Sequence, residues 1–248
     1  MKPTKPPRQV NVLIDWDNVH PLWKRRGVKH VVSESLAVAK LPAYDGLSRI
    51  RVRLYGGWFS EAAVSRRAQE LSAEIPKSFP STEGGGTGAR AIVDVELAKG
   101  IAQDPRTIFT HTYRERSLAG NLKSSSTPFI GCANTTACRM IDFARAINEY
   151  KCLHTACTVS LDDILTRTEQ KLVDAMMILD IVYYSRFPSR DVIVVSADED
   201  LVPAIHTGLL SGGVIHHICP IPGRAPSPHY SHTLTTTAYR TAAFRSVI

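Results

Sequence analysis

The run Asp191-Val192-Ile193-Val194-Val195-Ser196, passing at once into Ala197-Asp198-Glu199-Asp200, decides the fold. Its middle is β-branched throughout and has no polar alternation, the pattern of a strand covered on both faces in a parallel sheet. A second run, Val10-Asn11-Val12-Leu13-Ile14-Asp15, breaks off in the same way into Trp16-Asp17-Asn18. Outward from these two strands the chain alternates. Residues 31–40 predict a helix capped by Ser33, and 50–55 a strand ended by Gly56-Gly57. Residues 60–75 predict an amphipathic helix with Ser60 at its N-cap and Pro76 past its end. Late in the chain, 169–185 predict a helix and Phe187-Pro188-Ser189 a turn, and the 191–196 strand follows. A helix over 200–210, a turn at Ser211-Gly212-Gly213 and a strand over 214–219 complete the pattern. Two strand–helix blocks around a variable middle define an α/β fold, a central mostly parallel sheet flanked by helices.

The middle, at about 80–167, reads as an insertion in a single domain spanning 10–248, with 1–9 as a flexible, basic, proline-rich arm. Strands are expected at 91–97 and 107–113, and a loop at Lys123-Ser124-Ser125-Ser126-Thr127. Gly84-Gly85-Gly86-Thr87-Gly88 lacks the Gly-Lys-Ser/Thr ending of a phosphate-cradling loop and reads as a flexible turn.

Composition narrows the class. With 44% apolar residues the chain can bury a core, yet its longest apolar runs are strand-sized, so no membrane span is expected. No apolar stretch follows the basic N-terminus, which argues against a secretory signal. Five cysteines, an odd number spread over a long chain, read as reduced thiols of a cytoplasmic protein. A net charge of +7 favours an anionic partner, nucleic acid before acidic membrane.

Against that positive balance, carboxylates stand where an open α/β sheet binds its ligands, beyond the C-terminal ends of strands where strand order reverses. Asp15 and Asp17 end one strand, and Asp198 and Asp200 follow another. Asp174 interrupts an apolar helix face. Asp180, six residues on, lies about 240° around that helix, so at most one of the two points into a shared site. An aspartate after a strand is often only a turn former or a cap. Clustered carboxylates, however, repel unless a cation sits among them, and oxygen-only ligation suits Mg²⁺ or Mn²⁺. A basic protein with an acidic, metal-holding notch has the charge pattern of a nuclease.

Three segments, in order, resemble the NYN family of PIN-like, LabA-like metal-dependent ribonucleases. Leu13-Ile14-Asp15-Trp16-Asp17-Asn18 resembles its hydrophobic-Asp-x-x-Asn opening, and Glu169-Gln170-Lys171-Leu172-Val173-Asp174 with Asp180 its Lys-Gly-Val-Asp helix. Val194-Val195-Ser196-Ala197-Asp198-Glu199-Asp200-Leu201-Val202-Pro203 resembles its Ser-Gly-Asp-x-Asp-Phe-x-Pro segment. Leu172 and Ala197 stand where the family usually has Gly, and Leu201 where it has Phe. The resemblance covers the first strand and roughly 169–219, not the middle. It implies a Rossmann-like PIN/NYN domain and endonucleolytic hydrolysis of single-stranded RNA, with DNA a further possible substrate. Asp15, Asp174 and Asp198 would bind the metal, and Asp200 would be an outer ligand or position the attacking water. Asn18 and Ser196 would orient the first loop or touch substrate. Asp17 and Asp180 are second-tier candidates.

Trp23-Lys24-Arg25-Arg26 mixes an aromatic ring with phosphate-binding cations, as single-stranded RNA requires, although such runs are often merely exposed. Arg114 and Arg116 are weaker candidates. Cys132, Cys138, Cys152 and Cys157, with His154 as a substitute, could form a structural Zn²⁺ site; the alternative is scattered buried thiols. Two rival functions stand beside the nuclease. One is an RNA-binding module of the same fold with weak or no catalysis. The other is a phosphatase resembling the haloacid-dehalogenase type, with Asp15 as nucleophile and Asp17 as acid/base.

Overall fold

The structure is a computed structural model. It describes residues 9–41, 47–84, 90–117, 138–154, 156–163, 165–187, 190–226, 228–230, 234 and 236–246. Residues 1–8 of the expected arm, most of the glycine-rich turn, the 123–127 loop, Pro188-Ser189 and Cys132 lie outside the described residues, as do the side chains of Arg114 and Arg116.

Strand β1 (Gln9–Asp15) leads through helices α1 (Pro21–Arg25) and α2 (Val28–Ala39) to β2 (Leu47–Tyr55). A short hairpin, β3 (Phe59–Ser60) and β4 (Ala63–Val64), precedes α3 (Arg66–Glu74), and β5 (Ser81–Gly84) and β6 (Arg90–Leu97) follow. Then come β7 (Tyr113–Ser117), α4 (Arg139–Glu149), β8 (Thr166–Gln170) and α5 (Val173–Ser185). The chain ends its regular structure with β9 (Arg190–Val195), α6 (Val202–Leu210), β10 (Val214–Cys219) and β11 (Tyr239–Ala243).

Two compact units emerge. The larger comprises Met1–Thr112 and Gln170–Ile248, and the smaller Tyr113–Glu169. The larger unit is α/β, built on a seven-stranded sheet of order β11-β10-β9-β1-β2-β6-β5. Every neighbouring pair is parallel except β5–β6. From β1 the chain builds outward through β2 to one edge, then returns to build through β9 to the other. The reversal lies at β1, where an open sheet holds its ligand crevice.

The apolar runs do what their lack of alternation requires. In β9, Val192 and Val194 pack with Leu13 of β1 against α5 and α6, while Ile193 and Val195 join Val10, Val12 and Ile14 on the side of α1, α2 and α3. Removing such a side chain from water contributes roughly 1.5–3 kcal/mol, so a strand buried on both faces anchors the sheet.

Local differences have local causes. The helix expected over 60–75 begins only at Arg66, because 59–64 form the hairpin, with Glu61 in the left-handed region at φ 52°. Ser65, not Ser60, caps it, its hydroxyl accepting from the Ala68 amide at 3.3 Å. Gly27 precedes α2, which starts before Ser33. Residues 166–170 form a strand, so α5 is shorter than the 169–185 helix expected. No strand spans 107–112. Strands β5 and β6 belong to the main sheet, so the separate unit begins at Tyr113 rather than near residue 80.

Candidate metal centre

The β1 run ends at Asp15, whose side chain is 4% exposed. Its Oδ2 accepts from the Ser196 hydroxyl at 2.9 Å and from the side-chain amide of Asn18, and its Oδ1 accepts from the Asn18 backbone N–H at 3.3 Å. Asn18 thus folds the loop back onto the strand end, an Asx-type turn. Ser196 follows β9 directly, and its hydroxyl also accepts from the Asp198 backbone N–H at 3.0 Å. Asp198 caps the next turn, accepting at Oδ1 from the Asp200 N–H at 2.9 Å.

Asp174 arrives from a third direction. Right-handed crossovers carry a helix from the C-terminal end of the sheet back to the start of the next strand. The first turn of α5, which feeds β9, therefore lies over the end where Asp15 and Asp198 sit, and Asp174 is in that turn. One carboxylate oxygen from each of Asp15, Asp174 and Asp198 lies within 4.8 Å of the others. Opposite ligands of Mg²⁺ stand about 4.2 Å apart and those of Ca²⁺ about 5 Å, so this spread is of the size a hard divalent cation spans. All three donors are carboxylate oxygens, which excludes the sulfur and imidazole sets of zinc and copper.

Electrostatics agree with an unneutralised cluster. Burial pushes the Asp15 carboxyl above its ordinary value, against the hydrogen bonds of Asn18 and Ser196 that pull it down. Burial also raises Asp174 to about 6, with the charges of Asp15, Asp198, Asp200 and Asp17 adding to the rise. A helix N-terminus ordinarily favours a carboxylate, so the neighbouring charges and burial outweigh it here.

Of the residues singled out in the sequence, Asp15, Asp174, Asp198, Asn18 and Ser196 come together. Asp200 stands just outside, exposed, its charge still felt at Asp174. Asp180 does not belong. It is fully buried on the sheet side of α5, where it accepts from the Tyr55 hydroxyl, from the Ala102 N–H at 2.6 Å and from Arg53 at 3.0 Å. Asp17 is likewise no ligand in this arrangement: Arg67 holds its Oδ1 at 2.8 Å and the Gly57 N–H its Oδ2 at 3.3 Å.

The expected aromatic platform is corrected. Trp23 is 5% exposed, packs edge-on against Phe244 with centroids 5.2 Å apart, and carries Arg26 over its ring at 5.5 Å. Apolar contact won the indole, so no base can stack on it. Lys24 turns back to the Asp17 carbonyl at 2.9 Å, and Arg25 is exposed. Cys152 and Cys157 are free thiols; among the described residues the only group of three or more potential metal ligands is the aspartate one, so Cys138, Cys152, Cys157 and His154 do not converge. His217, which burial lowers to about 4, is neutral and bonds the Tyr239 hydroxyl at 2.9 Å.

Arg67 was missed. Its only signal was local: two arginines, Arg66 and Arg67, in the first turn of a helix, where the macrodipole disfavours cations. Compared with family models, with curated proteins and with solved structures, the chain has no match.

Proposed function

We propose that the protein is a divalent-metal-dependent ribonuclease that hydrolyses phosphodiester bonds within single-stranded RNA, of the NYN, PIN-like kind its motifs resemble. The observation that carries this reading is the gathering of Asp15, Asp174 and Asp198 at the reversal point of a parallel sheet. Those three residues would hold Mg²⁺ or Mn²⁺, which when bound activates water and steadies the leaving oxygen. Asn18 and Ser196 fix the orientation of Asp15. The Asp200 amide fixes Asp198. Burial and the neighbouring aspartates raise the Asp174 carboxyl to about 6, so Asp174 is charged at neutral pH. The net charge of +7 draws a polyanion to a notch that is itself negative.

Neither rival gains an observation. A non-catalytic binding module is favoured by an Asp174 that points away, and Asp174 is in the group. A phosphatase with Asp17 as acid/base needs that carboxylate unencumbered, and Arg67 and Gly57 engage both its oxygens.

The test is incubation of end-labelled single-stranded RNA, and the matching DNA, with Mn²⁺, Mg²⁺ or EDTA. Internal cuts that need metal, and fall at least about 100-fold in Asp198→Asn, are expected. RNA binding without cutting under both metals would sink the catalytic reading and leave the binding module. Turnover of small phosphomonoesters that survives Asp174→Asn would point to the phosphatase.

A further inference from the structure

We propose that Arg67, with Lys24 beside it, is a substrate-binding residue that grips an RNA phosphate at the rim of the metal notch; this rests on the ribonuclease reading above. Asp17 marks the rim, because it lies two residues beyond Asp15 in the loop that Asn18 folds back onto the strand end. Two cations from different elements converge on it. Lys24 of α1 donates to its backbone carbonyl at 2.9 Å, and Arg67 of α3 donates to its carboxylate at 2.8 Å. One residue thus holds two cations, Lys24 at its carbonyl and Arg67 at its carboxylate, and the charge of Arg67 bears unfavourably on Lys24. Arg67 meets a second electrostatic cost from its place in the first turn of α3. A bridging phosphate relieves both.

The donor count permits it. A guanidinium offers five N–H donors and an ammonium three, and each spends one on Asp17 in the contacts described. The Arg67 side chain is 47% exposed, so substrate can reach it, while its bond to Asp17 holds the planar fork for bidentate phosphate contact. Lys24 is partly buried and has a depressed pKa, chiefly through burial, so an arriving anion strengthens its charge. The anion this pair fits is a phosphodiester of the same RNA strand that the carboxylate notch would cut, because the pair supplies cationic donors and the notch supplies metal ligands.

The experiment compares the full-length wild type with Arg67→Gln and Arg67→Lys. It uses steady-state cleavage of a short single-stranded RNA in Mn²⁺, together with anisotropy binding in the Asp198→Asn background across a salt series. Arg67→Gln should raise KM about ten-fold with kcat little changed, as loss of one charge-assisted hydrogen bond does. The slope of log affinity against log salt should fall by about 0.7, one single-strand phosphate contact, and Arg67→Lys should restore the slope. Mn²⁺ affinity by calorimetry should not move. Unchanged KM and slope in Arg67→Gln, with an active wild type, would overturn the proposal and leave the ribonuclease standing. Joint loss of Tm and Mn²⁺ affinity in both variants would assign Arg67 a structural role and also overturn it. A wild type that neither cuts nor binds RNA would remove both readings together.

Discussion

Leu172 holds φ 66° at the entry to α5, the left-handed region that L residues other than Gly enter at a cost of about 1–2 kcal/mol. Its side chain is 42% exposed, so little packing is lost by removing it. Leu172→Gly should therefore stabilise the protein by roughly 0.5–1 kcal/mol after the extra flexibility of glycine in the unfolded chain is subtracted, read as a Tm rise of about 1–4 °C. The family resembled in the sequence usually has Gly at this position, and the backbone supplies a reason. Two residues on, Asp174 carries a different strain. Its folded pKa of about 6 exceeds its ordinary value of 3.8. Its stabilising contribution is thus complete below the lower value and is lost as pH rises through the upper one. In metal-free protein, Asp174→Asn should match the wild type near pH 4 and surpass it at pH 8. The gain is about 1 kcal/mol once discounted for the exposure of Asp174, and thermal melts across pH would read it. Equal melting of the two proteins at pH 8 would contradict this.

At the scale of elements, α5 owes its seat to a buried ion pair. Arg53 of β2 reaches Asp180 at 3.0 Å, the Gly100 carbonyl at 2.5 Å and Glu96 at 3.2 Å, and Tyr55 closes the set on Asp180. Arg53→Met leaves the Asp180 carboxylate buried without its cation, so unfolding in urea should show a loss of about 3–5 kcal/mol. Adding Asp180→Leu to that variant should recover much of it, because the penalty belongs to the unpaired charge. This network was illegible in the sequence. Arg53 reads as the polar half of an alternating strand, and Asp180 as a spare site residue, because nothing local says that two solvated-looking charges will meet. Strands β9 and β1 were legible because burial on both faces leaves an unbroken apolar run. Strands β8 and β11, Thr-Arg-Thr-Glu-Gln and Tyr-Arg-Thr-Ala-Ala, have no such run and went unseen. The three aspartates of the site could be read because each ends or opens an apolar element at the same end of the sheet. Arg67 could not, since its partner lies fifty positions away.

For the whole molecule, the decisive contrast is between an overall positive charge and one negative notch. A divalent ion that occupies the notch binds the folded chain alone, so Mn²⁺ at about 100 times its Kd should add roughly 2.7 kcal/mol of stability. A Tm rise of about 5–10 °C would follow, smaller at pH 5 where Asp174 is protonated, and absent in Asp198→Asn. Monovalent salt at matched ionic strength should not reproduce it. A last consequence comes from the position of β1 between β2 and β9. During synthesis β1 and β2 leave the ribosome together, while the other side of β1 waits for more than half the chain to be made. Until then its apolar edge stands open and invites chaperones. Asp15 is present, but Asp174 and Asp198 are not yet translated. On the ribonuclease reading proposed above, a nascent chain therefore lacks the completed acidic notch with which to cut the messenger from which it is being read.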